Sequence, residues 1–145
     1  MTLSELQDQI KKDLKIHPDQ LDESSRITPE IHHIYNKLMM QERLALKKLN
    51  REWDKLYLQQ WEYYRKKADP EVYEKKPLLK KIMDTDVKYY LSADPDLQEL
   101  RSKIEAKEEL IEFLKRALDQ ISQRNWQIRN QIEWLKFLGG EKGPK

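Results

Sequence analysis

The sequence predicts an all-α protein built of long amphipathic helices, with a C-terminal coiled-coil or bundle helix for oligomerisation. Three observations carry that reading. Glycine occurs only three times in 145 residues, and no Asn-Gly or Asp-Gly dipeptide marks a hairpin. Charged residues make up 37% of the chain and hydrophobic ones 38%, a balance suited to solvated helices that look to other chains for part of their burial. From Leu97 onward, core positions step by three and four through six heptads, the period that keeps one seam facing a partner.

The first helix is expected from about Thr2 to Ile16. Thr2 and Glu5 have capping-box spacing, and Leu3, Leu6, Ile10 and Leu14 form one stripe. "HPDQLDESS" reads as a connector. The second helix starts at Thr28-Pro29 and runs to about Lys67, because proline suits a first turn and the preceding threonine can cap it. Its stripe is Ile31, Tyr35, Leu38, Ala45, Leu49, Trp53 and Leu56. The stripe weakens at Gln41-Glu42, where a kink or loop would fall. Two short helices follow, about 70–76 and 77–91, the first capped by Asp69 and separated from the second by Lys76-Pro77.

Asp94-Pro95 opens the last helix, which Gly139-Gly140 ends. Its seam is Leu97, Leu100, Ile104, Lys107, Ile111, Leu114, Leu118, Ile121, Asn125, Ile128, Ile132 and Leu135, ten of the twelve being Leu or Ile. Asn125 in the seam should cost stability and fix register. Leu110, Phe113, Ala117, Trp126, Trp134 and Leu138 widen the apolar face beyond what a two-stranded coil needs, which suits a bundle of several helices. Residues 29–67 could instead fold back on this helix as a hairpin within one chain. Self-association through residues 94–138 is favoured, with the hairpin as an addition.

The composition argues against several classes. There is no cysteine, so disulfides and thiolate metal sites are excluded and a reducing compartment is expected. "MTLSELQDQIKKDLKI" lacks an apolar h-region, and no apolar run approaches a membrane span, so a soluble intracellular protein without a membrane partner is expected. His32 and His33 are adjacent and diverge on a helix. No phosphate-binding glycine loop and no nucleophile beside a base is present. Neither an enzyme nor a cofactor or metal site is expected.

Charge and rings concentrate in the middle of the chain. Residues 55–91 hold nine basic and six acidic side chains, whereas the flanking stretches are balanced, and eight of the thirteen aromatics lie between Trp53 and Tyr90. "KLYLQQWEYYRKKADPEVYEKKPLLKK", residues 55–81, holds eight cations, four anions and five aromatics. Single-stranded nucleic acid presents a charged backbone and exposed base faces, so a site for it combines cations with rings. The candidate residues are Lys55, Tyr57, Trp61, Tyr63, Tyr64, Arg65, Lys66, Lys67, Lys75, Lys76, Lys80 and Lys81. Tyr57, Trp61 and Tyr64 share one helical face and could equally pack on a partner helix. Tyr63 lies off that face and is the better candidate for an exposed ring. Arg65, Lys66 and Lys67 also suit a helix C-terminus for dipole reasons alone. A structural coiled-coil scaffold that binds no DNA is the alternative reading.

"YYRKKADPEVYEKK", "LSADPDLQEL" and "ALDQISQRNWQIRNQIEW", in that order, together with "LQDQIKKDLKI" near the N-terminus, resemble the UvsY recombination mediators of T4-like phages. The similarity is collinear and strongest over residues 55–135. It implies a single-stranded-DNA-binding protein that loads a RecA-like phage recombinase onto strands coated by the phage single-strand-binding protein. It also implies a helical homo-oligomeric ring of six or seven chains, a heptamer being favoured, in the cytoplasm of the infected bacterial host. On this reading residues 1–91 bind DNA, 92–138 assemble the ring and 139–145 are a tail. The family's DNA-binding segment carries a Lys and an Arg shortly before the paired tyrosines, and those positions are Leu58 and Gln60 here. Either Lys55, Arg65, Lys66 and Lys67 take over the phosphates, or the register is shifted.

Overall fold

The computed structural model describes residues 2–140. Within them six helices follow in order: α1 (Leu3–Asp13), α2 (Leu21–Arg26), α3 (Thr28–Tyr64), α4 (Pro70–Lys75), α5 (Val87–Ser92) and α6 (Pro95–Leu138). No strand occurs among the described residues, and no helix there is long and apolar enough to cross a membrane. The all-α class is as expected. At 1.5 Å per residue, α3 is about 55 Å long and α6 about 66 Å. The tail expected at 139–145 lies outside the described residues from position 141 on.

Side-chain capping bonds form at the starts of α1 and α6, and none forms at those of α2, α4 and α5. The Thr2 hydroxyl accepts from the Glu5 N–H at 3.2 Å while the Glu5 carboxylate accepts from the Thr2 N–H at 2.9 Å, so the capping box forms. Asp94 Oδ1 accepts from the Leu97 N–H at 2.9 Å and caps α6. Asp69 makes no such bond to α4. Thr28 does not cap α3 either. The stretch expected to be a plain connector forms α2, separated from α3 by Ile27 alone. The Ile31 N–H reaches the Ile27 carbonyl, and the Thr28 hydroxyl turns back to donate to the Ser24 carbonyl at 3.2 Å.

Two further expectations are corrected. Helix α3 runs unbroken through Gln41-Glu42. Residues 77–86 are not helical, and the last short helix begins only at Val87. Pro77 disfavours the α conformation at Lys76, whose φ is −138° and ψ 86°. Beyond it, Leu78 and Ile82 pack against apolar neighbours from an irregular segment while Leu79 and Met83 stay exposed.

The chain divides into two compact units, Met1–Glu42 with Leu110–Lys145, and Arg43–Glu109. The first buries Leu6, Ile10, Ile31, Tyr35, Met39 and, from α6, Leu110, Ile111, Leu114, Ala117, Leu118, Ile121 and Ile128. Its polar centre is Arg124, which is fully buried. Arg124 donates through Nη1 to the Ser24 carbonyl and, at 2.8 Å, to the Thr28 hydroxyl, and through Nη2 to the Lys15 carbonyl at 3.0 Å. Lys15 follows the end of α1 and Ser24 lies in the last turn of α2, so one guanidinium serves carbonyls that helix ends leave without amide partners. Desolvation lowers the Arg124 pKa from its ordinary value, and the charge of Asp13 works against that shift. Tyr35 donates to Asp13 Oδ2 at 2.6 Å, and burial followed by this bond raises its phenol pKa.

The second unit packs Tyr63, Tyr64, Val87, Leu91 and Leu97 together, with Trp53, Leu56, Trp61, Tyr73, Leu78 and Ile82 around them. The buried Asp94 carboxylate ties this core. Besides capping α6, its Oδ2 accepts from the Tyr64 hydroxyl at 2.7 Å and from Gln60 Nε2 at 2.8 Å. The seam of α6 is thus largely used within one chain. Leu97, Ile104, Ile111, Leu114, Leu118, Ile121 and Ile128 are buried, Leu100 is half-buried, and Ile132 and Leu135 are exposed. Asn125 is exposed too, accepting from the Ser25 hydroxyl at 3.3 Å, and the buried polar residue is its neighbour Arg124.

Candidate nucleic-acid interface

Helix α3 ends in a reversal that decides where the basic residues go. The Lys67 N–H bonds the Glu62 carbonyl at 2.8 Å and the Lys66 N–H bonds the Tyr63 carbonyl at 3.1 Å, the two bonds of a Schellman motif. Lys66 occupies the left-handed position, with φ 57°, where glycine is the usual residue. A side chain there costs about 1 kcal/mol. Lys66→Gly is therefore expected to raise the unfolding free energy by about 0.5–1 kcal/mol. A thermal melt checks this, and a lower melting temperature would show that the lysine side chain contributes more than its backbone costs.

The reversal brings cations onto a ring. Arg65 follows Trp61 by one helical turn, and its guanidinium carbon lies 5.2 Å from the Trp61 ring centroid. Lys67, returned by the turn, places Nζ 5.0 Å from the same centroid. Arg65 also pairs with Asp84, Nε to Oδ1 3.2 Å, which spends part of its charge. Lys66 and Lys67 are exposed. Lys55, Lys75, Lys80 and Lys81 are exposed as well and make no ion pair or ring contact among the described residues. Lys76 sets Nζ 5.5 Å from the Tyr63 ring centroid.

The tyrosines do other work. Tyr63, expected to be the exposed ring, is only 5% exposed. The helical arithmetic on α3 is sound, but the following chain folds across that face. Tyr73 of α4 stacks on Tyr63 with centroids 5.4 Å apart and planes 17° apart. The Tyr73 hydroxyl donates to the Tyr63 carbonyl at 2.9 Å, serving a carbonyl at the end of α3. The Tyr63 hydroxyl in turn donates to the Lys76 carbonyl at 3.1 Å. Tyr64 is buried against Asp94, and burial first, then that bond, raises its phenol pKa. Of the candidate rings, Trp61 is half-buried and Tyr57 is 42% exposed. Tyr57 is the most exposed of them, whereas Trp61 carries Arg65 and Lys67 over its ring.

The positions that match the family's two cations are not basic surface points. Leu58 is exposed, and Gln60 is engaged by Asp94. Three residues absent from the sequence-based set stand near Tyr57. Trp53 lies one turn before it, ring centroids 6.0 Å apart, and Arg101 of α6 lies over Trp53 at 4.5 Å. Lys88 of α5 lines the same cleft. The i, i+4 spacing could have flagged Trp53, but nothing local marks Arg101 or Lys88.

A family model described as the recombination, repair and ssDNA-binding protein UvsY matches residues 9–141. A search of curated proteins returns no match. Three crystal structures of the bacteriophage T4 recombination mediator protein UvsY share the fold, each 19% identical in sequence. The type II lattice gives a TM-score of 0.84 over 96% of this chain and 98% of that one. The type IV and type I lattices give 0.81 and 0.82, over 94% and 92% of this chain and 98% of theirs.

Proposed function

Because the chain belongs to the UvsY family, we propose that it is a recombination mediator that binds single-stranded DNA as a ring-shaped homo-oligomer. On this reading it promotes loading of a RecA-like phage recombinase onto strands coated by single-strand-binding protein, in the cytoplasm of the infected host. The observation that carries the DNA-binding reading is Trp61 with Arg65 and Lys67 both over its ring, beside an exposed Lys66. A ring and several cations at one helix end match a strand that offers base faces and phosphates together.

Assembly is supported by the far end of α6. Trp126, Ile132, Trp134, Leu135, Phe137 and Leu138 are all exposed, and Trp134 stacks on Phe137 with centroids 5.5 Å apart. A cluster of large exposed apolar side chains marks an interaction surface, and copies of the same chain are the partner that a ring requires. Each protomer then contributes a weak site, and the sites act at high effective concentration once the first has bound.

An anisotropy titration with a labelled single-stranded oligonucleotide at several salt concentrations tests the reading. Affinity is expected to fall steeply with salt. Lys66→Ala/Lys67→Ala should make the slope shallower by about 0.7 for each phosphate that the variant no longer neutralises. Binding that ignores salt, or a double variant with the wild-type slope, would remove these cations from the interface.

A further inference from the structure

Within the second unit a cleft of about 430 Å³ opens between α3, α5 and α6. That volume falls within the range of small-molecule sites, about 300–1,000 Å³. Trp53, Tyr57, Lys88, Leu91, Gln98 and Arg101 form most of its wall, and no carboxylate lines it. Arg101 and Lys88 have no ion pair among the described residues. Arg101 is held over Trp53 at 4.5 Å and Lys88 over Tyr89 at 5.1 Å. The neighbouring cleft of about 380 Å³ contrasts with it, since Glu62 and Asp69 share that wall with Lys67. The first cleft thus presents its cations without an opposing carboxylate, whereas Lys67 has two acidic neighbours in the second.

We propose that the Trp53–Tyr57–Arg101 cleft seats one nucleotide of the bound single strand. This rests on the DNA-binding reading above and adds a second contact, reached mostly by residues outside the 55–81 segment. The exposed Tyr57 ring takes the base face. Arg101, oriented by its stacking on Trp53, takes the adjoining phosphate together with Lys88. The Gln98 amide nitrogen gives one of its two N–H groups to the Ser92 carbonyl at 3.2 Å. Recognition by stacking on a ring tolerates any base, since every base has a flat face.

Two surface variants test this, Tyr57→Ala and Arg101→Ala/Lys88→Ala, each checked for unchanged helicity and assembly mass. Affinity for a fluorescein-labelled oligothymidylate is expected to weaken about tenfold in each. Tyr57→Phe, which keeps the stacking face, should bind as wild type. Only the Arg101/Lys88 variant should lower the salt slope. An iodouracil-substituted oligonucleotide should crosslink to Trp53 or Tyr57, as located by mass spectrometry. Wild-type binding that both variants leave unchanged overturns the seat while the DNA-binding function stands. Failure of the wild-type protein to bind any oligonucleotide overturns both. Displacement of the oligonucleotide by excess free ATP would make the cleft a mononucleotide site and overturn the proposal as stated.

Discussion

Replacing Arg124 by alanine is expected to lower the unfolding free energy by about 3–5 kcal/mol. The side chain is fully buried, so truncation leaves a cavity where packing was complete. It also removes donors from three acceptors, the Lys15 and Ser24 carbonyls and the Thr28 hydroxyl. None of these is a carboxylate, so no stranded anion adds to the loss. Arg124→Lys should recover only part of the stability. An ammonium is a compact point of charge and lacks the planar fork that meets acceptors on two sides. For a chain of this size the alanine variant should melt about 10 °C lower. A variant that melts with the wild type would show that the surrounding helices hold each other without the guanidinium.

Changing Trp134 and Phe137 together to serine is expected to dissociate the assembly and weaken single-strand binding by about 10²- to 10⁴-fold. Both rings are exposed in the protomer and touch each other, so their loss should not disturb the interior. The variant should keep its helicity and sediment as a 17.7 kDa particle. A cut near Asp94, which the seam alone would recommend, is the wrong experiment. It would delete Leu97 to Ile128, which form the interior of the protomer. If the double variant stays assembled, or if a monomer binds as tightly as the wild type, the avidity argument fails.

Much of the fold is legible in the sequence because helices announce themselves through period and caps. Thr2 with Glu5, and Asp94 before Pro95, mark two helix starts that form as read. The heptad seam of α6 states that one face is buried, but a period cannot say by whom. Here the same chain covers most of it. Helix α2 is too short for a stripe to show, and "LDESSR" has the composition of a loop. The candidate site is legible in type more than in detail. Cations and rings do meet at Trp61. Tyr63 and Tyr64 are spent on internal bonds, because residues 73 and 94 fold onto them from outside their own helix. Arg124 leaves no trace in the sequence, since a charged side chain beside a seam is ordinarily solvated.

The first unit is drawn from two stretches that lie far apart, and the bond from Arg124 to Lys15 spans 109 positions. Residues 43–109 are continuous, so on a ribosome they have all of their own partners as soon as they leave the exit tunnel. The helices made first must wait. Leu6 and Ile10 of α1 have nothing to cover them from α6 until roughly the last quarter of the chain is translated, a delay of several seconds at about 5–20 residues per second. During that interval α1 has only the early part of α3 to meet, where the Tyr35 hydroxyl reaches Asp13, and its unit stays incomplete.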